Sequence, residues 1–217
     1  MTTYGKNIKI SIYGGSHDEE IGVVADGLPA GEGFDFDRLY AFMKRRAPGS
    51  AKYATARKEA DLPIFMSGVS SENILDGTTL KAVIKNSNQH SSDYSDLADT
   101  PRPSHADYPA RVKYGEGVDL RGGGHFSGRL TTPIVAAGAI AWSALKHKGI
   151  EIGTHISKCG GIWDNNFGNL SEDINKLNNS SFPVLSDMAA QEMKREIEMA
   201  ADAGDSVGGI LATVVSG

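Results

Sequence analysis

The sequence predicts an α+β protein that forms one unit over residues 1–217. Three observations point there. Short apolar segments alternate with period two, helix-length runs are bounded by caps and stops, and no linker divides the chain convincingly.

Ile8, Ile10 and Ile12 alternate with Lys9 and Ser11, a half-buried strand that leads into the loop Gly14-Gly-Ser-His17. Ile21 to Ala25 reads as a second strand, closed by the turn residues Asp26-Gly-Leu-Pro-Ala-Gly31. A helix follows, capped by Asp35, with Phe36, Leu39, Tyr40 and Met43 as its apolar stripe and Pro48-Gly49 as its stop. From Ala60 to Ile84 the signals are short and strand-like. Residues 86–119 then carry many Ser, Asp and Pro and few apolar runs, the mark of a long polar connection with a functional role. Thr132 as cap, Pro133 at the first position and a nearly all-apolar run to Lys148 predict a second helix buried on most sides. Ile150 to Ile156 reads as a strand, 160–182 as an irregular surface segment, Ser186 to Gly204 as a third helix, and Val207 to Val215 as a last strand.

Composition narrows the function. The 217 residues carry 26 glycines, more than usual, which suits turns and backbone that must approach something closely. A net charge of −5 argues against general nucleic-acid affinity. A single cysteine, Cys159, permits no intrachain disulfide and reads as a small buried side chain. With no secretory core at the N-terminus and no run of the roughly 18 apolar residues that span a bilayer, the expectation is a soluble cytoplasmic protein without membrane contact.

Three clusters could carry chemistry. Seven basic residues and no acidic one lie between Arg38 and Lys58, including Arg45, Arg46, Lys52 and Arg57. Guanidinium forks suit phosphate or carboxylate oxygens; the alternative is a solvated helix end. His17 and His105 sit in polar loops, where an imidazole can act as acid or base near neutral pH, although either alone also suits a surface or capping role. A metal site through His17, Asp18 and Asp26 has no supporting ligand spacing, so no metal is expected. Finally, Arg121-Gly-Gly-Gly124 followed by His125, Phe126, Ser127 and Arg129 precedes a helix N-terminus, where free N–H groups and donors favour a phosphate-bearing ligand.

In order, Gly14-Gly-Ser-His17, Asp26-Gly-Leu-Pro-Ala-Gly31, Arg45-Arg-Ala-Pro-Gly49, Asn86 to Tyr94, Arg102-Pro-Ser-His-Ala-Asp-Tyr108, Arg121-Gly-Gly-Gly124, Ala136-Ala-Gly-Ala139 and Gly204-Asp-Ser206 resemble the motifs of the chorismate synthase family. The family chain is considerably longer, so the resemblance reads this one as its N-terminal part. It implies helices packed between antiparallel sheets, a β-α-β sandwich here cut short, and assembly as a homotetramer. It further implies the anti-1,4 elimination of phosphate from 5-enolpyruvylshikimate 3-phosphate to give chorismate, a step of the shikimate pathway that needs reduced FMN, with NADPH as a reductant in some members. By motif position His17 protonates the departing phosphate and His105 serves N1 of the flavin. Arg45, Arg46, Lys52, Arg57 and Arg129 hold substrate, and His105, His125, Phe126 and Ser127 contact FMN. Gly15, Asp18, Ala47, Lys52, Ser104 and His125-Phe126 depart from the usual motif residues. The rival expectation is a non-catalytic remnant that binds phosphate or flavin weakly.

Overall fold

The computed structural model describes residues 2–47, 59–87, 100–115 and 117–217. Read from sequence as one α+β unit, these residues group into two compact units, one running to Ser143 and the other from Ala144 to Gly217.

The first unit is built on an antiparallel sheet of β1 (Thr2–Tyr4), β2 (Lys9–Tyr13), β3 (Glu20–Asp26), β4 (Pro63–Ser67) and β5 (Leu80–Lys85), ordered β1-β2-β3-β5-β4. Period-two alternation decides which face is buried. Ile21, Val23 and Ala25 on β3 stand opposite Ile84, Ala82 and Leu80 on β5, and all six are in the core. Ile10 and Ile12 extend the same face along β2. On the other face, Gly22 leaves room for the ring of Tyr13, its partner across the strands; a Cβ there would stand 2.4 Å from the ring.

Two helices supply the other side of this core: α1 (Phe36–Arg46) through Leu39 and Met43, and α3 (Thr131–His147) through Ala136, Ala137, Ala139 and Ile140. Asp35 caps α1 as expected, accepting from the Arg38 N–H at 3.0 Å. The expected stop, Pro48-Gly49, lies outside the described residues. α3 begins at Thr131, one residue before the expected cap, because a 3₁₀ turn at Gly128–Leu130 leads straight into it. Thr132 is therefore buried inside the first turn, its hydroxyl donating to the Arg129 carbonyl at 2.8 Å. The helix buries one broad side and leaves Ile134 49% exposed, against the expectation of burial on most sides.

Within the polar stretch 86–119 lies a helix the sequence reading did not contain, α2 (Asp107–Tyr114). Its apolar residues do not form a buried stripe: Tyr108, Val112 and Tyr114 are exposed, and Ala110 alone among its apolar side chains is buried.

The second unit carries the antiparallel sheet β7-β6-β8, from β6 (Glu151–Cys159), β7 (Ile162–Trp163) and β8 (Gly209–Ser216). α4 (Leu170–Asn179) falls where an irregular segment was expected. Ile174 and Leu177 are its buried positions, and Gly153 admits Ile174, whose Cγ1 would stand 2.8 Å from a Cβ at that glycine. α5 (Asp187–Asp202) starts at the expected cap, Ser186 accepting from the Ala189 N–H at 3.3 Å. Cys159 is buried, and that burial pushes its thiol up, away from nucleophilic use. His155 and Asp164 form a buried pair at 2.7 Å. Burial opposes ionisation of Asp164, yet the N–H groups of Leu185 and Ser186 and the His155 ring hold its carboxyl below the usual range.

The core assignment makes two methionines a test. Met43 is fully buried and Met66 is 62% exposed. Met43→Ala should cost about 2–5 kcal/mol in urea denaturation, and Met66→Ala less than about 1 kcal/mol.

Candidate active site

The loop between β2 and β3 carries His17 and is docked on the triple-glycine segment. Gly14 has φ +89°, and a side chain there would meet the Glu20 carbonyl, so the turn needs glycine. The Ser16 N–H donates to the Gly124 carbonyl at 3.1 Å, and the buried Ser16 hydroxyl sits 3.0 Å from His17 Nδ1. Gly122, at φ +61°, lies under the imidazole; a Cβ would stand 2.4 Å from His17 Cε1. Nearby, Arg121 grips Asp119 at 2.7 Å and reaches Asp18 at 3.8 Å. Hydrogen bonding from Arg121 holds the Asp119 carboxyl below its ordinary range, with the His17 charge adding to the effect.

His105 approaches the same segment from a different turn. Arg102 binds Asp107 through the backbone N–H, Nε and a terminal nitrogen, at 2.8 to 2.9 Å, and donates to the carbonyls of Leu120 and Gly122. One guanidinium thus ties the His105 turn to the strip that supports His17. The Arg102 hydrogen bonds lower Asp107 to about 2. His105 itself is exposed, with Nδ1 3.0 Å from the Pro103 carbonyl. Since a carbonyl only accepts, Nδ1 carries the proton and Nε2 is the nitrogen left for exchange. A cavity of about 460 Å³ opens here, lined by Arg102, Ser104, His105, Gly123, Phe126 and Ser127 among others.

The remaining site candidates divide. Phe126 is 46% exposed and lines the cavity with Ser127. His125 does not line it: Nδ1 is 3.0 Å from the Gly14 carbonyl and Nε2 is 2.9 Å from the Thr2 hydroxyl, which fastens β1 to the His17 loop. Arg45 lies over the Phe42 ring, 5.3 Å from its centroid. Lys52 and Arg57 lie outside the described residues.

Arg46 and Arg129, grouped by sequence with the substrate-holding cations, are turned inward. Both pair with Asp61, a residue the sequence reading passed over, whose side chain is wholly buried. Arg46 adds hydrogen bonds to Thr131 at 3.3 Å and the Gly128 carbonyl at 3.1 Å. Arg129 donates from Nε to Asn86 at 2.8 Å. Asp61 has φ +53°, a left-handed backbone that aspartate tolerates better than most residues. A lone acid among short strand-like segments gives no periodic signal. The clue available was two arginines, at 46 and 129, placed beside a helix end and a helix start.

The metal reading does not assemble. Six residue steps of extended strand, about 20 Å, separate Glu20 from Asp26, so Asp26 does not share a site with His17 and Asp18. No group of three or more potential ligands converges among the described residues. Nor is any described helix long and apolar enough to cross a membrane.

Two imidazoles at one glycine strip, one of them lining a cavity, describe a protein suited to acid–base chemistry on a small molecule. Comparison with known proteins gives that class its family. The chorismate synthase family model matches residues 8–217, and the chain belongs to that family. It is 42% identical over 194 residues to a chorismate synthase of Lancefieldella parvula, covering 88% of this chain and 51% of that protein. It is 40% identical over 211 residues to one of Thermococcus kodakarensis, covering 97% and 57%. A crystal structure of chorismate synthase shares the fold with a TM-score of 0.69 at 20% identity, over 97% of this chain and 58% of the other. The chain spans about half the length of the curated relatives it matches.

The Arg102–Asp107 brace has a defined pH window. The folded-state value of about 2 lies below the ordinary 3.8, so the stabilisation is complete above about pH 4 and disappears as pH falls through 2. The gap in urea midpoint between the wild type and Asp107→Asn should therefore close between pH 4 and pH 2. Asp61→Asn keeps the backbone geometry but takes this carboxylate from the buried Arg129 guanidinium and from Arg46. Thermal denaturation at neutral pH should show it destabilised by about 3–5 kcal/mol.

Proposed function

We propose that this chain is the N-terminal part of a chorismate synthase, which eliminates phosphate from 5-enolpyruvylshikimate 3-phosphate to give chorismate. The observation that carries the reading is the convergence of His17 and His105 on one glycine strip, in a chain whose family model matches residues 8–217. In the reaction a C–O bond to phosphate and a C–H bond break while one double bond forms, so atoms balance without net redox. Departing phosphate needs a proton, and His17 is the group assigned to deliver it, its ring oriented by Ser16 and packed on Gly122. Arg45, Lys52 and Arg57 are the cations assigned to the substrate anions. Arg46 and Arg129 are assigned to the frame that orients the loop.

The residues present fit a flavin. The cavity offers the half-exposed ring of Phe126, the Ser127 hydroxyl and His105 Nε2, an apolar face with a few polar groups at its edge. Reduced FMN, when bound, supplies electron density that eases loss of the phosphate. His105 holds or moves a proton at Nε2, and its Nδ1 contact with Pro103 keeps that nitrogen in place. His125 acts at one remove, by fastening β1 to the Gly14 turn. The same reading extends to NADPH as the source of reducing power and to a cytoplasmic homotetramer, whose mass sedimentation would report.

The test is anaerobic phosphate release from 5-enolpyruvylshikimate 3-phosphate by the purified 217-residue chain with reduced FMN. Turnover that falls by about 10²- to 10⁴-fold in His17→Ala and in His105→Ala supports both assignments. A folded wild-type chain that releases no phosphate overturns catalysis by this part alone and leaves a module that binds phosphate or flavin.

A further inference from the structure

Asn86 follows the last residue of β5 and is buried, at 8% exposure. Its backbone N–H donates to the Glu19 carbonyl at 3.0 Å. Its side chain lies between two parts of the molecule. Oδ1 accepts from Arg129 Nε at 2.8 Å, and Nδ2 donates to the carbonyls of Asp18 at 2.7 Å and Gly15 at 3.3 Å. These two carbonyls flank His17 in sequence.

The amide orientation follows from chemistry. A guanidinium has no acceptor, so the atom that meets Arg129 must be the oxygen. The amino group is then forced to face the loop, where two carbonyls can only accept. Arg129 is in turn held by Asp61, which Arg46 also holds. The chain of contacts runs Arg46–Asp61–Arg129–Asn86 and ends on the backbone around His17. Within the same turn, the Ser16 N–H is on Gly124 and the Asp18 N–H is 3.2 Å from the Gly15 carbonyl.

We infer that Asn86 is a positioning residue: its side-chain amide, oriented by Arg129, fixes the Gly15–Asp18 turn and so the place of the His17 imidazole. Its importance to turnover rests on the role proposed for His17; the positioning itself does not. Polar groups that are buried and fully paired in this way specify one local arrangement, and a single reversed donor disrupts it.

Asn86→Asp keeps the size of the side chain and an acceptor for Arg129, but turns an oxygen toward the two carbonyls. In hydrogen exchange on the folded chain, the Ser16 and Asp18 amides should exchange about tenfold faster or more, while those of β3 and α1 stay within about twofold. In a chain that turns over, kcat should fall about tenfold with KM changed less than about threefold. Should Asn86→Asp not fold, Asn86→Ala removes the same donor and should give the same local pattern. Ser16 and Asp18 exchanging at the wild-type rate would overturn the inference. So would acceleration shared equally by β3 and α1, since that describes a general structural role. A wild-type chain without turnover counts against the functional reading, and the exchange comparison still decides this one.

Discussion

One buried carboxylate organises the first unit. Asp61 stands between Arg46 at the end of α1 and Arg129 in the turn that opens α3, and it neutralises the Arg129 guanidinium, which is buried with it. Burying a charge is costly unless it is paired and hydrogen-bonded, so this triad works only as a whole. Its placement fixes three things together: the C-terminal end of α1, the lead into α3, and, through Asn86, the loop after β2. The catalytic candidates lie on loops, and these contacts join two of those loops to the sheet-and-helix core.

The glycine strip performs a complementary task. Gly122 has no side chain and a left-handed backbone, and both facts serve the imidazole packed on it. Arg102 reaches the carbonyl of the same glycine from the other turn. Two loops far apart in sequence therefore meet on one backbone segment.

Much of this was legible in the residues, and the exceptions have physical causes. Period-two alternation located β2, an apolar run closed by turn residues located β3, and the oxygen-bearing caps Asp35 and Ser186 located the starts of α1 and α5. α2 was hidden because no side chain caps it and its stripe faces solvent; what supports its start is the Arg102–Asp107 pair, a contact that only the fold reveals. α4 was legible but passed over: Leu170, Ile174 and Leu177 are spaced as one helical face. In the site, His17, His105 and the glycine segment stood out because loop histidines and repeated glycines are unusual in themselves. The inward turn of Arg46 and Arg129 could not be read, since an arginine run looks the same whether its partner is a ligand or a buried aspartate.

The low titration point of Asp107 also bears on how the protein's kinetics can be read. With that carboxyl ionised down to about 2, the tie between the His105 turn and Gly122 stays intact through the mildly acidic range. A bend in a pH–rate profile between about pH 5 and 8 is then not the slackening of this brace. The geometry of the His105 turn and the proton exchange proposed for it therefore answer to different ranges of pH.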